Sequence, residues 1–179
     1  MAIEVVFETH SITEDNEQGR ATGWLPGRLS PRGRDLAREL GLRRRNDGIA
    51  VVFSSDLRRA AETASLAFEG PALPVLLDWR LRECDYGQLN GMPTADLHAS
   101  RRDHLDRPYP GGESWRQAVA RAARLLDDLP SRWDGHRVLI IGHVATRWAL
   151  DHVLGGARLE ELAVADFAWR PGWEYRLPA

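Results

Sequence analysis

Apolar residues along this chain come in short runs separated by longer stretches spaced for helices. Ile3, Val5, Val6 and Phe7 form one run, rich in the β-branched side chains that strands favour. Ala50-Val51-Val52-Phe53, Pro74 to Leu77 and Val138-Leu139-Ile140-Ile141 repeat it. Between the first two, Leu36, Ala37 and Leu40 make the apolar stripe of a helix that Ser30 caps and Pro31 begins, with Gly41 placed to end it. A second helix is expected from about Leu57 to Phe68 and a short one near Thr94 to Arg101. Ser114-Trp115-Arg116-Gln117 is a capping box that opens the longest helix, to about Leu129, with Ala118, Ala122, Leu125, Leu126 and Leu129 on one face. A last helix runs from about Ala145 to Leu154, stopped by Gly155-Gly156, and residues 167 to 177 are expected to add one or two strands. Strands alternating with helices predict an α/β fold, a three-layer α/β/α sandwich around a mostly parallel sheet.

The length fits one domain over residues 1–179. Residues 84–112 lose periodicity, punctuated by Gly87, Gly91, Pro93, Pro108, Pro110, Gly111 and Gly112. An irregular stretch of that length inside a compact domain reads as an insertion or lid over the site. Arg43-Arg44-Arg45-Asn46-Asp47-Gly48 reads as a solvated basic turn. With 43% hydrophobic and 28% charged residues and a net charge of −2, no global basic field would recruit nucleic acid or a membrane surface. The opening Met-Ala-Ile-Glu lacks a secretory pattern, and no apolar run approaches the ~20 residues of a membrane helix. A soluble cytoplasmic protein, monomer or homodimer, is the expectation. Its one cysteine, Cys84, excludes an intramolecular disulfide framework and a cysteine-based zinc site.

The chemistry begins where two strands run into histidines: Phe7-Glu8-Thr9-His10 and Ile141-Gly142-His143. In open α/β sheets ligands bind at the carboxyl ends of the strands, and the two imidazoles would meet if their strands were neighbours. Ser54-Ser55-Asp56 leads from a strand into a helix, whose free N–H groups and dipole favour an anion. Arg58 and Arg59 stand in that helix's first turn, where the dipole alone would prefer acids, so at least one is expected to face a bound anion. Asn16 and Glu83 lie on loops that belong to the same edge. No Asp-rich cluster, His-x-x-x-His helix or Cys pair is present, so no metal site is expected. The Gly-x-x-x-x-Gly-Lys loop and the Gly-x-Ser-x-Gly elbow are also absent. Phosphoryl transfer to histidine fits best. A neutral imidazole nitrogen attacks phosphorus, cationic donors hold the oxygens, and a carboxylic acid such as Glu83 protonates the leaving oxygen and later activates water.

These residues carry a resemblance. Phe7 to Asn16 resembles the Leu-Val-Arg-His-Gly-Glu-Thr-x-x-Asn opening of the histidine phosphatase superfamily, the phosphoglycerate mutase-like fold. Gly19-Arg20-Ala21-Thr22-Gly23 followed by Leu29-Ser30 and Gly33 is similar to its next block. Ser54 to Ala60 with Thr63-Ala64 resembles its Ser-x-Leu-x-Arg-Ala-x-x-Thr-Ala block, and Leu81-Arg82-Glu83 with Gly87 and Gly91 its general-acid segment. Pro110-Gly111-Gly112-Glu113-Ser114 matches its turn, and Gly142-His143 its second histidine. The resemblance implies His10 as phosphorylated nucleophile, Arg59 and Asn16 as phosphate ligands, His143 as a second phosphate-side donor and Glu83 as acid and base. It places Thr22, Gly23 and the residues flanking the histidines, Thr9 and Val144, on the phosphate and substrate side. It implies no metal or organic cofactor and a small phosphorylated metabolite as partner. His98, His104, His136 and His152 match nothing in it.

The departures are specific. Thr9 stands where the family has arginine, Ser11 where it has glycine after the nucleophile, and Val144 where it has glycine after the second histidine. A lost guanidinium removes charge-assisted bonds of about 1.5–3 kcal/mol each. If the site turns over, another cation is expected to compensate, with Arg20 first, then Arg58 and Arg147. The implied function is a phosphatase acting through phosphohistidine on His10. The alternatives are a weakened or inactive phosphate-binding module of the same fold and, less favoured because the insertion is compact, a phosphomutase.

Overall fold

A computed structural model of the protein describes residues 1–70 and 73–178. Strands β1 (Ile3–Thr9), β2 (Ile49–Ser54), β3 (Val75–Leu77), β4 (Arg137–Gly142) and β5 (Trp173–Leu177) form one sheet in the order β3-β2-β4-β1-β5. The first four are mutually parallel and β5 runs antiparallel to β1 along one edge. Residues 167 to 177 therefore supply one strand.

The period-2 alternation of the strands sorts their side chains between two layers. Phe7, Val51, Phe53, Val138 and Ile140 face Leu125, Leu126, Leu129 and Leu150. The last four belong to α5 (Trp115–Asp128), its C-cap and α7 (Val144–Val153). Val6, Val52, Leu139 and Ile141 face Ala60 and Ala64 of α3 (Arg58–Ala67), against which α2 (Pro31–Arg44) packs. This is the three-layer α/β/α sandwich with a mostly parallel sheet that the hydrophobic pattern predicts. The described residues also form four shorter α-helices, α1 (Glu14–Glu17), α4 (Thr94–Ser100), α6 (Pro130–Trp133) and α8 (Leu159–Val164), and 3-10 turns at Trp79–Leu81 and Gly87–Leu89.

Two local expectations are corrected. Gly41 does not end α2; the helix continues to Arg44. A Cβ at Gly41 would collide with the Ala67 carbonyl, so this glycine serves the close approach of α2 to α3. The supposed basic turn is also partly helix, because Arg43 and Arg44 lie in the last turn of α2. Both bond the buried Glu8 carboxylate of β1, at 3.0 and 2.7 Å, which makes Arg44 an interior residue.

Residues 84–112 are anchored by a few buried side chains, while many of the others are exposed. Leu97, Leu105 and Tyr109 join Trp115 and Trp148 in a buried cluster on the α5–α7 side. No helix among the described residues is long and apolar enough to cross a membrane.

Candidate active site

The register of the sheet brings the two histidines together. β1 and β4 are parallel neighbours with Thr9 aligned to Gly142, and the His10 N–H donates to the Gly142 carbonyl at 3.0 Å. The next residue of each strand is a histidine, and the two rings lie 5.0 Å apart. A side chain at Gly142 would strike Thr146, whose hydroxyl accepts from the His143 N–H and donates to the Leu81 carbonyl. That glycine is required where β4 turns into α7.

Hydrogen bonds fix the tautomers. His10 Nδ1 lies 2.7 Å from the Ser11 carbonyl, which only accepts, so Nδ1 carries the proton. The Nε2 lone pair then faces the cavity, where it accepts a long bond from Arg59 Nε at 3.3 Å. In His143 the order is reversed. Arg59 Nη2, always a donor, sits 3.2 Å from Nδ1, so the neutral ring carries its proton on Nε2. His143 Nε2 and Arg59 Nη1 are both buried without a hydrogen-bond partner among the described residues. Native structures leave few such atoms, and each calls for an explanation. Here the two unpartnered donors belong to the groups that adjoin the His10 imidazole, the arrangement an anionic electrophile would complete.

The electrostatics keep both rings neutral. Burial, then the neighbouring Arg59 cation, pushes the His10 pKa down to about 3, against a smaller upward pull from the Ser11 carbonyl. Burial and the same guanidinium hold His143 well below its ordinary value. Burial also lowers Arg59, opposed by Glu83, Tyr86 and Asp15. Arg59 has no carboxylate in salt-bridge contact among the described residues, and the Gly23 carbonyl accepts from its Nη2 at 2.9 Å. Its neighbour Arg58 is exposed, so of the two helix-start arginines one turns inward.

Glu83 lies at the start of α7. Its Oε1 accepts from the N–H groups of Cys84 (2.9 Å) and Ala145 (3.0 Å), and its Oε2 from Val144 (3.2 Å). Three of the roughly four lone-pair sites of a carboxylate are thereby used, and the remaining one is on Oε2. The Glu83 carbonyl accepts from Trp24 Nε1 at 2.6 Å and from Arg121 at 3.1 Å. Arg121 also gathers the Arg80 and Arg82 carbonyls and pairs with Glu113 at 2.6 Å. Sequence reasoning missed Arg121 and Trp24. A signal existed for the first: Arg121 interrupts the apolar stripe of Ala118, Ala122 and Leu125 and is itself buried.

The other sequence candidates occupy the same region with different commitments. Thr9, His10, Asn16, Arg20, Thr22, Gly23, Arg59, Glu83, His143 and Val144 all line one cavity of about 900 Å3. Asn16 Oδ1 accepts from the Thr13 N–H as part of the α1 cap, leaving its amide nitrogen for the cavity. The Thr22 hydroxyl donates to Asp15. Gly23, at φ +57°, has no room for a side chain against Asn90 and Tyr86. Arg20 is exposed, and its side chain makes a long 3.4 Å contact to the Gly91 carbonyl. Arg147 lies outside the lining; it pairs with Asp151 and stacks over Trp173. Asp85 accepts from Gly87 and Asn90 inside its own turn, while Glu83 alone of the two lines the cavity. His98, which matched nothing in the resemblance, also lines it. Among the described residues no group of three or more His, Cys, Asp or Glu side chains is arranged to hold a metal ion.

The mostly parallel α/β sandwich, with two neutral histidines, a buried arginine and a carboxylate gathered at one edge of its sheet, has the arrangement of a histidine phosphatase-type fold. Residues 6–168 match the histidine phosphatase superfamily (branch 1), and the chain belongs to that family. It is 35% identical, over 98% of its length and 91% of the relative's, to a 2,3-bisphosphoglycerate-dependent phosphoglycerate mutase of Methylobacterium sp. (strain 4-46). Among solved structures it is similar to YhfR of Bacillus stearothermophilus, with a TM-score of 0.82, 26% identity and coverage of 94% of this chain and 88% of that one. It is also similar to a mycobacterial glucosyl-3-phosphoglycerate phosphatase, with a TM-score of 0.78, 28% identity and coverage of 91% and 84%.

Proposed function

We propose that the protein is a phosphatase that hydrolyses a small phosphomonoester through a phosphohistidine on His10. One observation carries the reading: the His10 Nε2 lone pair stands beside two buried donors that lack partners, His143 Nε2–H and Arg59 Nη1–H. Nε2 attacks phosphorus, the phosphorus–oxygen ester bond breaks, and the departing alkoxide takes a proton from Glu83 Oε2. Water then attacks the phosphohistidine as Glu83 Oε2 removes its proton, and phosphate and neutral His10 are released. His143 and Arg59, both buried, hold the equatorial oxygens throughout and stabilise the charge that develops there. Residues 84–112, which contribute Tyr86, Leu97 and Arg101 to the cavity, serve as its cover.

Incubation with a 32P-labelled phosphomonoester and rapid quenching tests the reading. The expected result is acid-labile, alkali-stable label on wild type and none on His10→Ala. Label retained by the variant moves the nucleophile elsewhere. A protein that binds vanadate but releases no phosphate above background is instead the inactive phosphate-binding module. Thr9 leaves the phosphoryl pocket one guanidinium short, and Arg20 is the exposed cavity cation nearest in sequence to His10. Arg20→Ala is expected to raise KM and lower kcat, with Thr9→Arg restoring part of the loss; a kinetically silent Arg20→Ala removes Arg20 from the reaction.

A second reading, phosphomutase, is favoured by a different observation. Arg101 is 5% exposed, lies over the rings of Trp115 and Trp148, lines the cavity, and has no carboxylate partner among the described residues. A desolvated cation of this kind suits a second anionic group on the substrate. The mutase relative is consistent with that. Labelled phosphoenzyme mixed with 3-phosphoglycerate separates the two readings. Label appears as inorganic phosphate for a phosphatase and as bisphosphoglycerate for a mutase.

A further inference from the structure

The cavity draws on both helical layers of the sandwich. On the α5–α7 side it is walled by Tyr86, Leu97, His98 and Arg101, whereas on the α2 side the wall is Ile12, Leu36, Leu40, Phe167 and Trp169. Leu36 and Leu40 are one turn apart on a single face of α2. Phe167 and Trp169 belong to the segment between α8 and β5 and are 38% and 61% exposed. The Phe167 ring is held in place, 6.2 Å from the Trp173 ring and with the Arg147 guanidinium 5.6 Å over its face.

Isolated apolar side chains on a surface need no explanation. Five that open into the same cavity as a nucleophilic imidazole do, because apolar walls with a few placed polar groups are how small-molecule sites are built. The Arg43 cation beside this wall is occupied by Glu8, and the other charges on this face of α2, Arg32 and Glu39, are exposed. The cavity volume of about 900 Å3 lies toward the upper end for pockets that enclose drug-sized ligands, about 300–1,000 Å3. A phosphoryl group on a three-carbon alcohol would leave most of it to water.

We propose that the α2 side of the cavity is a leaving-group subsite, and that the substrate is a phosphomonoester of an alcohol bearing a ring-sized apolar body, which packs against Leu36 and Leu40 and stacks on Trp169. The proposal rests on the phosphatase reading and names the substrate class for that same site. The bond broken is unchanged; the subsite contributes binding to the group that leaves.

The test compares 2-phenylethyl phosphate with ethyl phosphate, two alkyl esters with similar leaving alkoxides, so a difference in kcat/KM reports binding of the ring. Wild type should favour the phenylethyl ester by about tenfold or more, the discrimination an apolar pocket gives for a group of this size. In the Trp169→Ala/Leu36→Asn double variant that ratio should fall to about threefold or less, while Trp169→Phe keeps most of it. A wild-type ratio near one, or a ratio that survives the double variant, overturns the proposal. Calorimetric binding of 2-phenylethylphosphonate and ethylphosphonate is measured alongside. A preference for the first that the double variant loses supports the subsite even in a protein that turns nothing over, in which case only the phosphatase reading falls. Equal affinities for the two phosphonates, or binding of neither, overturn the subsite itself.

Discussion

The Glu83 and His10 sides of the site hold similar kinds of groups, yet the first leaves no buried side-chain donor without a partner among the described residues and the second leaves two. At the Glu83 end, both carboxylate oxygens accept backbone N–H bonds, and Arg121 uses its guanidinium on three carbonyls and the Glu113 carboxylate. At the His10 end, Arg59 and His143 each keep a buried donor with no partner among the described residues. Burying a polar group without a partner costs about 1–3 kcal/mol, more when it is charged. The contrast separates two jobs: satisfied groups place the acid, and unsatisfied ones wait for charge that arrives with the substrate. Arg121 is thus a positioning residue, whereas Arg59 and His143 are candidates for direct contact with the reacting group.

The largest effect expected from breaking this contrast is at His10. Its alanine variant should lose phosphoenzyme formation and at least about a thousandfold in kcat, as nucleophile removals do. Next comes Arg59→Met, for which kcat/KM for phosphomonoesters should fall by about a hundredfold or more. Urea denaturation of the same variant should show a loss of about 1 kcal/mol or less, because relief of a desolvated cation with an unpartnered nitrogen offsets the bonds lost to His10, Gly23 and His143. A stability loss of more than about 1 kcal/mol would mean that Arg59 is structural after all. Glu83→Gln should slow ethyl phosphate by about a hundredfold or more and p-nitrophenyl phosphate far less, since a good leaving group needs little protonation. Equal losses on both esters would take the acid role away from Glu83.

The opposite signature is expected at the satisfied end. Arg121→Met should cost about 2–4 kcal/mol of stability, because it takes the cation from Glu113 and the donor from the Arg80 and Arg82 carbonyls, leaving the Glu83 carbonyl to Trp24 alone. Urea denaturation that finds no loss would show that the network is dispensable. The mildest effect is on the pH dependence of folding. Folded His10 stays neutral until about pH 3, whereas an unfolded histidine takes up a proton below about 6.5. Between those values the unfolded state binds more protons, so stability is lost as pH falls through that window, and the lowered pKa of His143 adds with the same sign. Urea titrations from pH 7 to pH 4 should show a shallower decline for His10→Gln; an identical slope would place the ring in a more solvated setting.

Much of this was legible along the chain. The strand runs, the Ser30 and Ser114 caps and the two strand-terminal histidines lie where periodicity and turn chemistry put them, because those signals depend on neighbours a few residues away. The run Arg43-Arg44-Arg45 misled for the same reason. Its meaning depends on Glu8, 35 and 36 positions earlier, and no local rule distinguishes a solvated arginine from one paired across layers. Spacing along the chain ranks Arg20 ahead of Arg58 and Arg147 as a spare cation, and of the three only Arg20 lines the cavity.

By itself the sequence determined the layer architecture and the chemistry available at the sheet edge, since the pattern of apolar positions chooses strands and helices, and residue type limits what a strand end can do. The tertiary structure alone decided how those groups are used. The register of β1 against β4 sets the two rings 5.0 Å apart. Arg59, turned inward from α3, donates to the Nε2 lone pair of His10 and to the Nδ1 lone pair of His143, which leaves His143 Nε2–H as an unpartnered donor. Such choices rest on bonds between residues 49 and 84 positions apart, and only the closing of the sheet brings those residues within hydrogen-bond reach.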